Sequence, residues 1–413
     1  MQDELIHPDE ALRLVLDAAP PPATEPVPLG EALGRALVRG LPSTVDHPPF
    51  DKSAMDGFAF DPALPAGVLK VVQSVAAGSE AGRRLGRGEC ARIMTGAPLP
   101  PGAGAVQRIE WTEPVVPKGD DAGTAGVGAE FVRFTRPETG SNVILRGENL
   151  RRGEPLLGPR LLAPQDIGIL ASSGYAEVEV ARRPRVAVLS TGNEVVEPGG
   201  PLGGAAIYDS NGPQLAAQAR SAGCDATFLG IARDEPGRLA EALGRALDGF
   251  DVVLVSGGVS MGDFDLVPRT LEALGVRRVF HKVAMKPGKP TWFGLRGTTA
   301  VFGLPGNPVS TFVNFEFLLK PHLARRMGLE PRPRMLRAVL AAPVSRRESD
   351  RVEFLPVRIE RDAERGIDLA RPLGYRGSSM LNILAEADGL VRVEIGVDRL
   401  EEGASVDARL IRP

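Results

Sequence analysis

The chain has 413 residues, of which 43% are hydrophobic and 24% charged, and its net charge is −3 at pH 7. The length exceeds what one compact core accommodates, so we expect about two to four domains of ordinary globular composition. The small net charge excludes an overall attraction to nucleic acid or anionic lipid, so any anion site must be built locally.

The cysteines, the histidines and the apolar runs exclude further classes of protein. The two cysteines, Cys90 and Cys224, lie far apart and the chain has four histidines, so neither a disulfide framework nor a Cys/His zinc site is expected. The first residues are acidic and amphipathic, and no apolar run approaches the ~20 residues of a membrane span. We therefore expect a cytoplasmic protein.

The N-terminal part of the chain predicts two helices and then a β-rich region. Apolar residues recur at helical spacing over 5–19, and "LGEALGRALV" predicts a second, short helix. From about 45 to 145, short apolar strands alternate with Gly and Pro turns, and 116–130 predicts a hairpin tip or loop. A helix near 164–172 and a strand near 175–180 follow.

Residues 184–328 instead alternate strands with helices. Examples are "RVAVLS", "DATFLGIA" and "DVVLVSGG", each followed by a loop and a helical segment. This alternation predicts a doubly wound, mainly parallel sheet, whose loops after the strands meet at one edge and bind ligands. Residues 331–413 return to short strands and turns and predict a small closed β unit.

Acidic residues follow three of the predicted parallel strands. They are Glu194 in "STGNEV", Asp234 in "ARDEP", and Asp265 (with Asp263) in "SGGVSMGDFD". Such carboxylates can hold a hard cation such as Mg²⁺, while backbone N–H groups of the glycine-rich turn cradle a phosphate. The alternative is that each acid only caps a helix and complements its dipole. "SGGVSMG" matches neither nucleotide-binding glycine motif, so the pattern names no nucleotide.

A second cluster combines "MKPGKPTWFG" with "GLPGNPVSTF". Prolines and a glycine restrict the backbone that carries Lys286 and Lys289, and Ser310 falls in the first turn of a helix that Asn307 would cap. Two fixed cations and a hydroxyl suit an oxyanion. The alternative is a solvated lysine pair beside an ordinary cap.

Other polar residues carry a weaker signal. In "FDKSAMDGFAF" and "RIMTGAPLPPGAG", Asp56 and Thr95 are more typical of Asx turns and cap hydroxyls than of catalysis. Arg351 and Ser378, in the C-terminal region, are more typical of surface residues.

Eight motifs, taken in order, add a family resemblance that spans nearly the whole chain. They are "DKSAMDGFA", "RIMTGAPLP", "GENLRRGE", "LSTGNEV", "SNGPQL", "SGGVSMGDFD", "KPGKP" and "GLPGNPVS". This ordered set resembles the molybdopterin molybdenumtransferase family, of the MoeA and gephyrin E-domain type.

The resemblance implies a multidomain α/β plus β protein and a homodimer. Its four domains would be an N-terminal elongated domain (1–47 plus 146–179), a β-rich insertion (48–145), an α/β domain like the molybdopterin adenylyltransferases (180–328) and a C-terminal β-barrel (331–413). The implied reaction inserts molybdenum from molybdate into adenylylated molybdopterin and releases AMP, with Mg²⁺ as the expected metal. A molybdopterin adenylyltransferase is a further candidate partner.

The resemblance also assigns roles to single residues. Glu194, Asp234 and Asp265 match the family's acids at the metal and pyrophosphate site, and Asp56 and Thr95 match residues thought to close the cleft from the partner subunit. The positions expected to bind molybdate or pterin phosphate are Gly257, Gly258, Ser260, Lys286, Lys289, Ser310, Arg351 and Ser378.

The sequence departs from the family pattern at several positions. Asn149 and Gly104 stand where the family usually has Asp, Ser379 where Gly or His is more usual, and Asp388 where Asn is common. These departures leave two alternatives open: a tungstate-preferring homologue, and a scaffold that binds molybdopterin without turnover. The resemblance disfavours an adenylyltransferase, because that activity belongs to stand-alone α/β domains of this type and this chain carries additional β domains.

Overall fold

A computed structural model describes residues 5–63, 67–116, 130–259, 266–374 and 377–412. The chain divides into two compact units, which are considered separately. The first unit comprises Met1–Val38, Pro159–Leu162 and Glu177–Pro413, and the second comprises Arg39–Gly158 and Ala163–Ala176. In these described ranges no helix is both long enough and apolar enough to cross a bilayer.

In the described part of the chain up to residue 181, short strands accompany two α-helices. They are α1 Pro8–Asp17, β1 Thr24–Pro28, β2 Ala36–Leu37, β3 Leu41–Pro42, β4 Lys52–Ser53, β5 Gly57–Phe60, β6 Val68–Val75, β7 Glu89–Ile93, β8 Ala105–Arg108, β9 Thr112–Val115, β10 Glu130–Phe134, β11 Val143–Ile144, β12 Pro155–Leu157, β13 Arg160–Leu161, α2 Pro164–Ser172 and β14 Glu177–Ala181.

The predicted second helix is wrong. Only a 3₁₀ turn, Leu29–Glu31, forms, and Ala36–Leu37 is a strand in the sheet β1-β14-β2-β13. Gly34 adopts φ +71°, which a continuing helix does not allow, and both residues of β2 are buried in the sheet.

The second unit is built around a six-stranded sheet, in the order β8-β5-β7-β6-β10-β9. Period-2 alternation gives it two apolar faces. Ala59, Ile93 and Val106 lie in one cluster, and Phe58 and Val132 lie in the other. The predicted β-rich region is therefore present. The four predicted domain boundaries stay a prediction, because the division into two units does not separate them.

Strands and helices alternate over residues 185–326 of the first unit. They are β15 Arg185–Thr191, β16 Val195–Val196, β17 Ile207–Tyr208, α3 Asn211–Ser221, β18 Asp225–Ala232, α4 Pro236–Gly249, β19 Val252–Ser256, α5 Leu266–Ala273, β20 Arg277–His281, β21 Met285–Lys286, β22 Trp292–Arg296, β23 Thr299–Leu304, α6 Pro308–Asn314, a π turn Phe315–Leu319 and α7 Lys320–Arg326.

The predicted mainly parallel sheet is confirmed, in the order β18-β15-β19-β23-β22-β20. Its first four strands are parallel, and β22 runs antiparallel to its neighbours. Both faces are covered, because successive residues of β19 pack into different cores: Val252 and Leu254 lie with α3 and α6, and Val253 and Val255 with α4 and α5. Burial on both faces explains the unbroken apolar run of this strand.

The C-terminal residues form β24 Met335–Leu340, β25 Val344–Ser345, β26 Val352–Asp362, β27 Ile367–Pro372, α8 Asn382–Glu386, β28 Gly389–Val393, β29 Arg399–Leu400 and β30 Ser405–Leu410. The pairings β26–β27–β24–β30–β28–β26 close a five-stranded barrel. The predicted closed β unit is therefore confirmed. Strand β21 adds to β26 in parallel, within the same unit.

Candidate functional site

A cavity of about 910 Å³ in the first unit collects one set of the predicted residues. All five residues that were predicted to bind an oxyanion, apart from the glycine-rich turn, line it: Lys286, Lys289, Ser310, Arg351 and Ser378. They come from four separate segments of the sequence, so tertiary structure brings them together.

The loop that carries the two lysines is fixed against helix α6. Gly288 has φ +116°, and a Cβ at this position would lie 2.4 Å from Nδ2 of Asn314. The Oδ1 atom of Asn314 accepts a hydrogen bond from the Thr291 hydroxyl at 2.8 Å. Glycine is therefore required here both by the backbone conformation and by the close approach of the helix.

Ser310 and Ser378 meet the cavity at the start of α6. Ser310 lies in the first turn and is only 3% exposed, and the neighbouring Val309 N–H donates to the carbonyl of Ser378 at 3.1 Å. Asn307 occupies the N-cap position as predicted, but its side chain makes no capping hydrogen bond. The asparagine lines the cavity instead.

The second set of predicted residues lies where the parallel strands end. Thr191 pairs with Ala232, and Ser256 pairs with both Ser190 and Leu304, so β15, β18, β19 and β23 end at one edge of the sheet. The loops that follow hold Glu194, Asp234 and the Gly257–Gly258 turn. This is the edge at which the sequence predicted ligand binding.

Asn193 links the two acidic loops. Its Oδ1 accepts from the Asp234 N–H at 3.3 Å, and its carbonyl accepts from Arg233 at 2.8 Å. The Glu194 carboxylate folds back over Gly192, where a Cβ would lie 2.8 Å from Oε2 of Glu194. The backbone of Asp234 is therefore tied to the loop that precedes Glu194.

The glycine turn differs from its prediction in one respect. Gly257 and Gly258 adopt φ +93° and +64°, and a Cβ on Gly257 would lie 2.7 Å from the Thr191 carbonyl oxygen. However, the Gly257 N–H donates to the carbonyl of Leu304 at 3.0 Å. This amide extends the pairing with β23 and is not a bare donor for phosphate.

Part of the predicted metal site lies among the described residues. Ser260, Asp263 and Asp265 lie outside the described residues, and among those described no three His, Cys, Asp or Glu side chains group closely enough to hold a metal. Glu194 and Asp234 still fit Mg²⁺ in donor chemistry, since carboxylate oxygens are its usual protein ligands. The role of Asp265 as a further ligand stays a prediction.

One loop joins the cavity to the strand-end edge. Pro305 and Asn307 line the cavity. Gly306, between them, accepts a hydrogen bond from Nδ2 of Asn211 at 2.7 Å, and the same nitrogen donates to the Ser256 hydroxyl at 2.8 Å. The two predicted clusters are therefore neighbours within one unit.

Asp56 and Thr95 lie together in the second unit. Asp56 accepts hydrogen bonds from the Thr95 N–H at 2.7 Å and from its hydroxyl at 2.8 Å. These two donors hold the pKa of the Asp56 carboxyl below its ordinary value, and both residues are exposed. The contact is also what the turn interpretation predicts, so it does not by itself assign catalysis.

The second unit contains a different cavity, of about 780 Å³, lined by residues that include Phe60, Phe134, Gln107 and Glu138. None of the predicted site residues lines it. Its buried acid, Glu138, is already paired with Arg108 at 2.9 Å. The cationic cavity of the first unit is therefore the candidate functional site.

Family models match three successive parts of the chain. The MoeA N-terminal region (domain I and II) matches residues 6–174, a probable molybdopterin binding domain matches 187–325, and the MoeA C-terminal region (domain IV) matches 337–411. The molybdopterin molybdenumtransferase of Bacillus subtilis is 34% identical over 98% of this chain and 94% of that protein. The chain belongs to the molybdopterin molybdenumtransferase family.

Other members agree in sequence and in structure. The molybdopterin molybdenumtransferase of Staphylococcus aureus is 32% identical over 92% of this chain and 90% of that protein. A crystal structure of the molybdopterin biosynthesis MoeA protein of Pyrococcus horikoshii superposes with a TM-score of 0.85 at 34% identity, covering 99% of this chain and all of the other. The predicted fold and family are confirmed, as is the enzyme class, a transferase of molybdenum cofactor biosynthesis.

The cavity of this molybdenumtransferase-family chain also contains residues that the sequence did not single out. Arg346, Arg347 and Glu353 line it beside the predicted set. A signal for Glu353 was present, because the acid interrupts the apolar run of β26 between Val352 and Phe354, all of which are buried. An acid on such a strand needs a partner, and here the partners are cations of the cavity.

Two of the departures from the family pattern lie outside this cavity. Asn149 is exposed in the second unit. Gly104 lines the 780 Å³ cavity, where a Cβ would lie 3.1 Å from Cδ of Pro62. Neither residue alters the charge of the cationic cavity.

Proposed function

We propose that this chain transfers molybdenum from molybdate to adenylylated molybdopterin and releases AMP. The observation that carries the proposal is the convergence of Lys286, Lys289, Ser310, Arg351 and Ser378 on one cavity. Fixed cations and hydroxyl donors are what a tetrahedral dianion requires, and charge-assisted hydrogen bonds are about twice as strong as neutral ones.

The size of the cavity supports an organic substrate beside the oxyanion. A volume of about 910 Å³ lies within the range of small-molecule sites and far exceeds what one molybdate fills. The loop of Pro305–Asn307 joins this space to the end of β19, on the sheet edge where the acidic loops follow β15 and β18. The pterin with its dithiolene and the pyrophosphate would then occupy neighbouring parts of one site.

Magnesium is proposed as the metal at the strand-end edge. Glu194 and Asp234 would hold it, with Asp265 as a further ligand. When bound, Mg²⁺ would neutralise negative charge on the pyrophosphate and on the departing AMP.

The protein's own contribution is binding and orientation. The cationic cavity would hold molybdate beside the dithiolene sulfurs, and this proximity would supply much of the rate acceleration. A cysteine nucleophile is not expected, because burial raises the pKa of both Cys90 and Cys224 to about 12 and keeps both thiols protonated.

The finer assignments extend the same proposal. We propose a cytoplasmic homodimer in which Asp56 and Thr95 of one subunit close the cleft of the other, and a molybdopterin adenylyltransferase as the protein that supplies the adenylylated substrate. The exposure of Asp56 and Thr95, with a carboxylate kept charged by two donors, suits a contact with another subunit.

An AMP-release assay tests the proposal. The purified protein is incubated with adenylylated molybdopterin and Mg²⁺, with molybdate or tungstate, and AMP and the metal content of the pterin are measured. Oxyanion-dependent AMP release supports the transferase, and the two oxyanion arms decide the preferred metal. Binding of the pterin without AMP release would establish the scaffold alternative, and ATP consumption with molybdopterin alone would point to an adenylyltransferase.

A variant of Asp265 tests the assignment of the metal site. Asp265→Ala should abolish AMP release and leave the fold intact, because the phosphate charge would lose its counter-ion. Asp248→Ala, which removes an exposed carboxylate on α4, is the control and should retain full activity. Turnover by Asp265→Ala at the wild-type rate, with an unchanged circular dichroism spectrum, would remove Asp265 from the site.

A further inference from the structure

Glu353 is the one carboxylate among the described residues that line the cationic cavity. It lines the cavity with Lys286, Arg346, Arg347 and Arg351 and is only 4% exposed. Its Oε2 atom is buried and has no hydrogen-bond partner among the described residues. A buried charged oxygen without such a partner costs stability, so its presence at an anion site calls for a functional reason.

Glu353 has two cationic neighbours, and they are held differently. Oε2 lies 3.8 Å from Nη1 of Arg346, whose guanidinium is 3% exposed. Arg346 donates to the carbonyls of Val397 at 2.7 Å, Arg351 at 3.0 Å and Glu394 at 2.6 Å. These backbone acceptors fix Arg346 without help from Glu353.

Lys286 has no comparable set of backbone acceptors in the described part of the chain. Its Nζ lies 3.2 Å from Oε1 of Glu353, and its side chain is 37% exposed. The two residues are direct neighbours in the parallel pairing of β21 with β26, so their backbones hold the two side chains in register. Glu353 is thus the group that restrains the lysine.

We propose that Glu353 is a positioning residue that acts through Lys286 in the oxyanion site. The inference rests on the proposed function. An ammonium group has three N–H donors, so one directed to Glu353 leaves two for the oxyanion. The carboxylate also lowers the positive charge of the cavity, which limits how tightly the substrate anion is held before reaction.

Two opposite effects follow when the charge of Glu353 is removed. The cavity gains one unit of positive charge, so a dianion should bind more tightly in the ground state. Lys286 loses its anchor, so the oxyanion is no longer oriented and turnover falls. A purely structural role for Glu353 would weaken binding and stability together and would not produce this split.

The experiment compares Glu353→Gln and Glu353→Asp with wild type. Molybdate affinity is measured by titration calorimetry, and kcat by AMP release. Glu353→Gln should bind molybdate at least as tightly as wild type and lose about tenfold or more in kcat. Glu353→Asp retains the charge and should recover most of the turnover. The control is Glu360→Gln on the same strand, where the carboxylate pairs with Arg371 away from the cavity, and it should match wild type.

A double-mutant cycle tests the route through Lys286. Lys286→Ala with Glu353→Gln should turn over no more slowly than Lys286→Ala alone, because the lysine is the group that Glu353 holds. Additive losses would overturn this route. Wild-type kcat in Glu353→Gln, or equal loss in the Gln and Asp variants at unchanged melting temperature, would overturn the positioning role.

The outcomes separate this inference from the proposed function. A wild-type protein that neither binds molybdate nor releases AMP would refute the proposed function itself. Normal wild-type binding and turnover together with an indifferent Glu353→Gln would refute only the inference. If Glu353→Gln does not fold, Lys286→Ala decides the matter, because a wild-type kcat in that variant would refute a role of Glu353 that acts through the lysine.

Discussion

In our proposal, single residues of the cationic cavity provide most of the specificity for the oxyanion. Ser310 is buried in the first turn of α6, and Lys289 is exposed on a loop whose path is set by Gly288. A buried hydroxyl and an exposed ammonium contribute differently, since the first is oriented by packing and the second by charge. Removing both should therefore affect oxyanion binding more than folding.

Lys289→Ala combined with Ser310→Ala should raise the KM for molybdate. Losing one charge-assisted and one neutral hydrogen bond corresponds to roughly tenfold or more in affinity. Arg238→Ala serves as control, because it removes a cation that is 71% exposed on α4. An unchanged molybdate requirement in the double variant, measured by AMP release, would move the oxyanion to another place.

The contact between Asp56 and Thr95 can be tested without an activity assay. Thr95→Val removes the hydroxyl donor and keeps the N–H, so the pKa of Asp56 should rise toward its ordinary value. Because the folded pKa is lowered, the stabilising contribution of Asp56 is present above its ordinary pKa and is lost as the pH falls through the lowered one.

A carboxyl carbon-13 NMR titration measures this pKa directly. Thr112→Val is the matched control, because its hydroxyl donates to the Ile109 carbonyl at 2.7 Å instead. The pKa of Asp56 should be unchanged in the control. The same pKa in Thr95→Val as in wild type would show that the hydroxyl contributes nothing to the carboxylate.

At the scale of elements, the site depends on the junction between strand ends and helix starts. Asn211 begins α3 and donates to the Gly306 carbonyl and to Ser256 at the end of β19. The Thr311 hydroxyl in α6 donates to the Pro305 carbonyl at 2.6 Å. The loop of Pro305–Asn307 is therefore held from two helices, and its position sets one wall of the cavity.

Asn211→Ala should loosen this junction. The buried Ser256 hydroxyl and the Gly306 carbonyl lose the donor that they share, which costs about 1–3 kcal/mol of stability. The melting temperature should fall and the KM for molybdate should rise together. Ser221→Ala, exposed at the other end of α3, should change neither. A lower melting temperature with an unaltered KM would separate this loop from oxyanion binding.

For the molecule as a whole, a buried histidine links folding of the first unit to pH. His322 in α7 is fully buried, and its Nδ1 lies 2.8 Å from the Val15 carbonyl in α1. Burial, with a smaller effect of Arg326, lowers its pKa from 6.5 to about 4. The folded protein therefore keeps this imidazole neutral where the unfolded chain would protonate it.

Stability should fall as the pH drops from 6.5 toward 4, because only the unfolded state takes up the proton in this window. The contribution of His322 is at most about 3 kcal/mol. His322→Phe should show a shallower pH dependence of the melting temperature between pH 7 and 5, although its value at pH 7 is lower. His7→Asn, at an exposed histidine that caps α1, should follow wild type. Equal pH dependence in wild type and His322→Phe would contradict this assignment.

Local sequence determined much of the architecture. The unbroken apolar run of β19 and the helical spacing of α4 predicted buried strands alternating with amphipathic helices, and this pattern requires only neighbouring residues. The stiff Lys-Pro-Gly-Lys-Pro loop and the helix start at Pro308 were also readable from local rules. These local features identified Lys286, Lys289 and Ser310 as candidate oxyanion-binding residues.

Only the tertiary structure decided which of these groups lie close together and which already form a hydrogen bond within the fold. The register of β21 and β26 places Glu353 beside Lys286. The periodicity of the sequence cannot predict this contact, because the two residues are far apart in the chain. Pairing with β23 engages the Gly257 N–H, and sheet formation overrides the helical pattern at Ala36–Leu37. Periodicity reports how one segment can be buried, whereas a site depends on contacts between segments, which are fixed only when the sheets pair and the barrel closes.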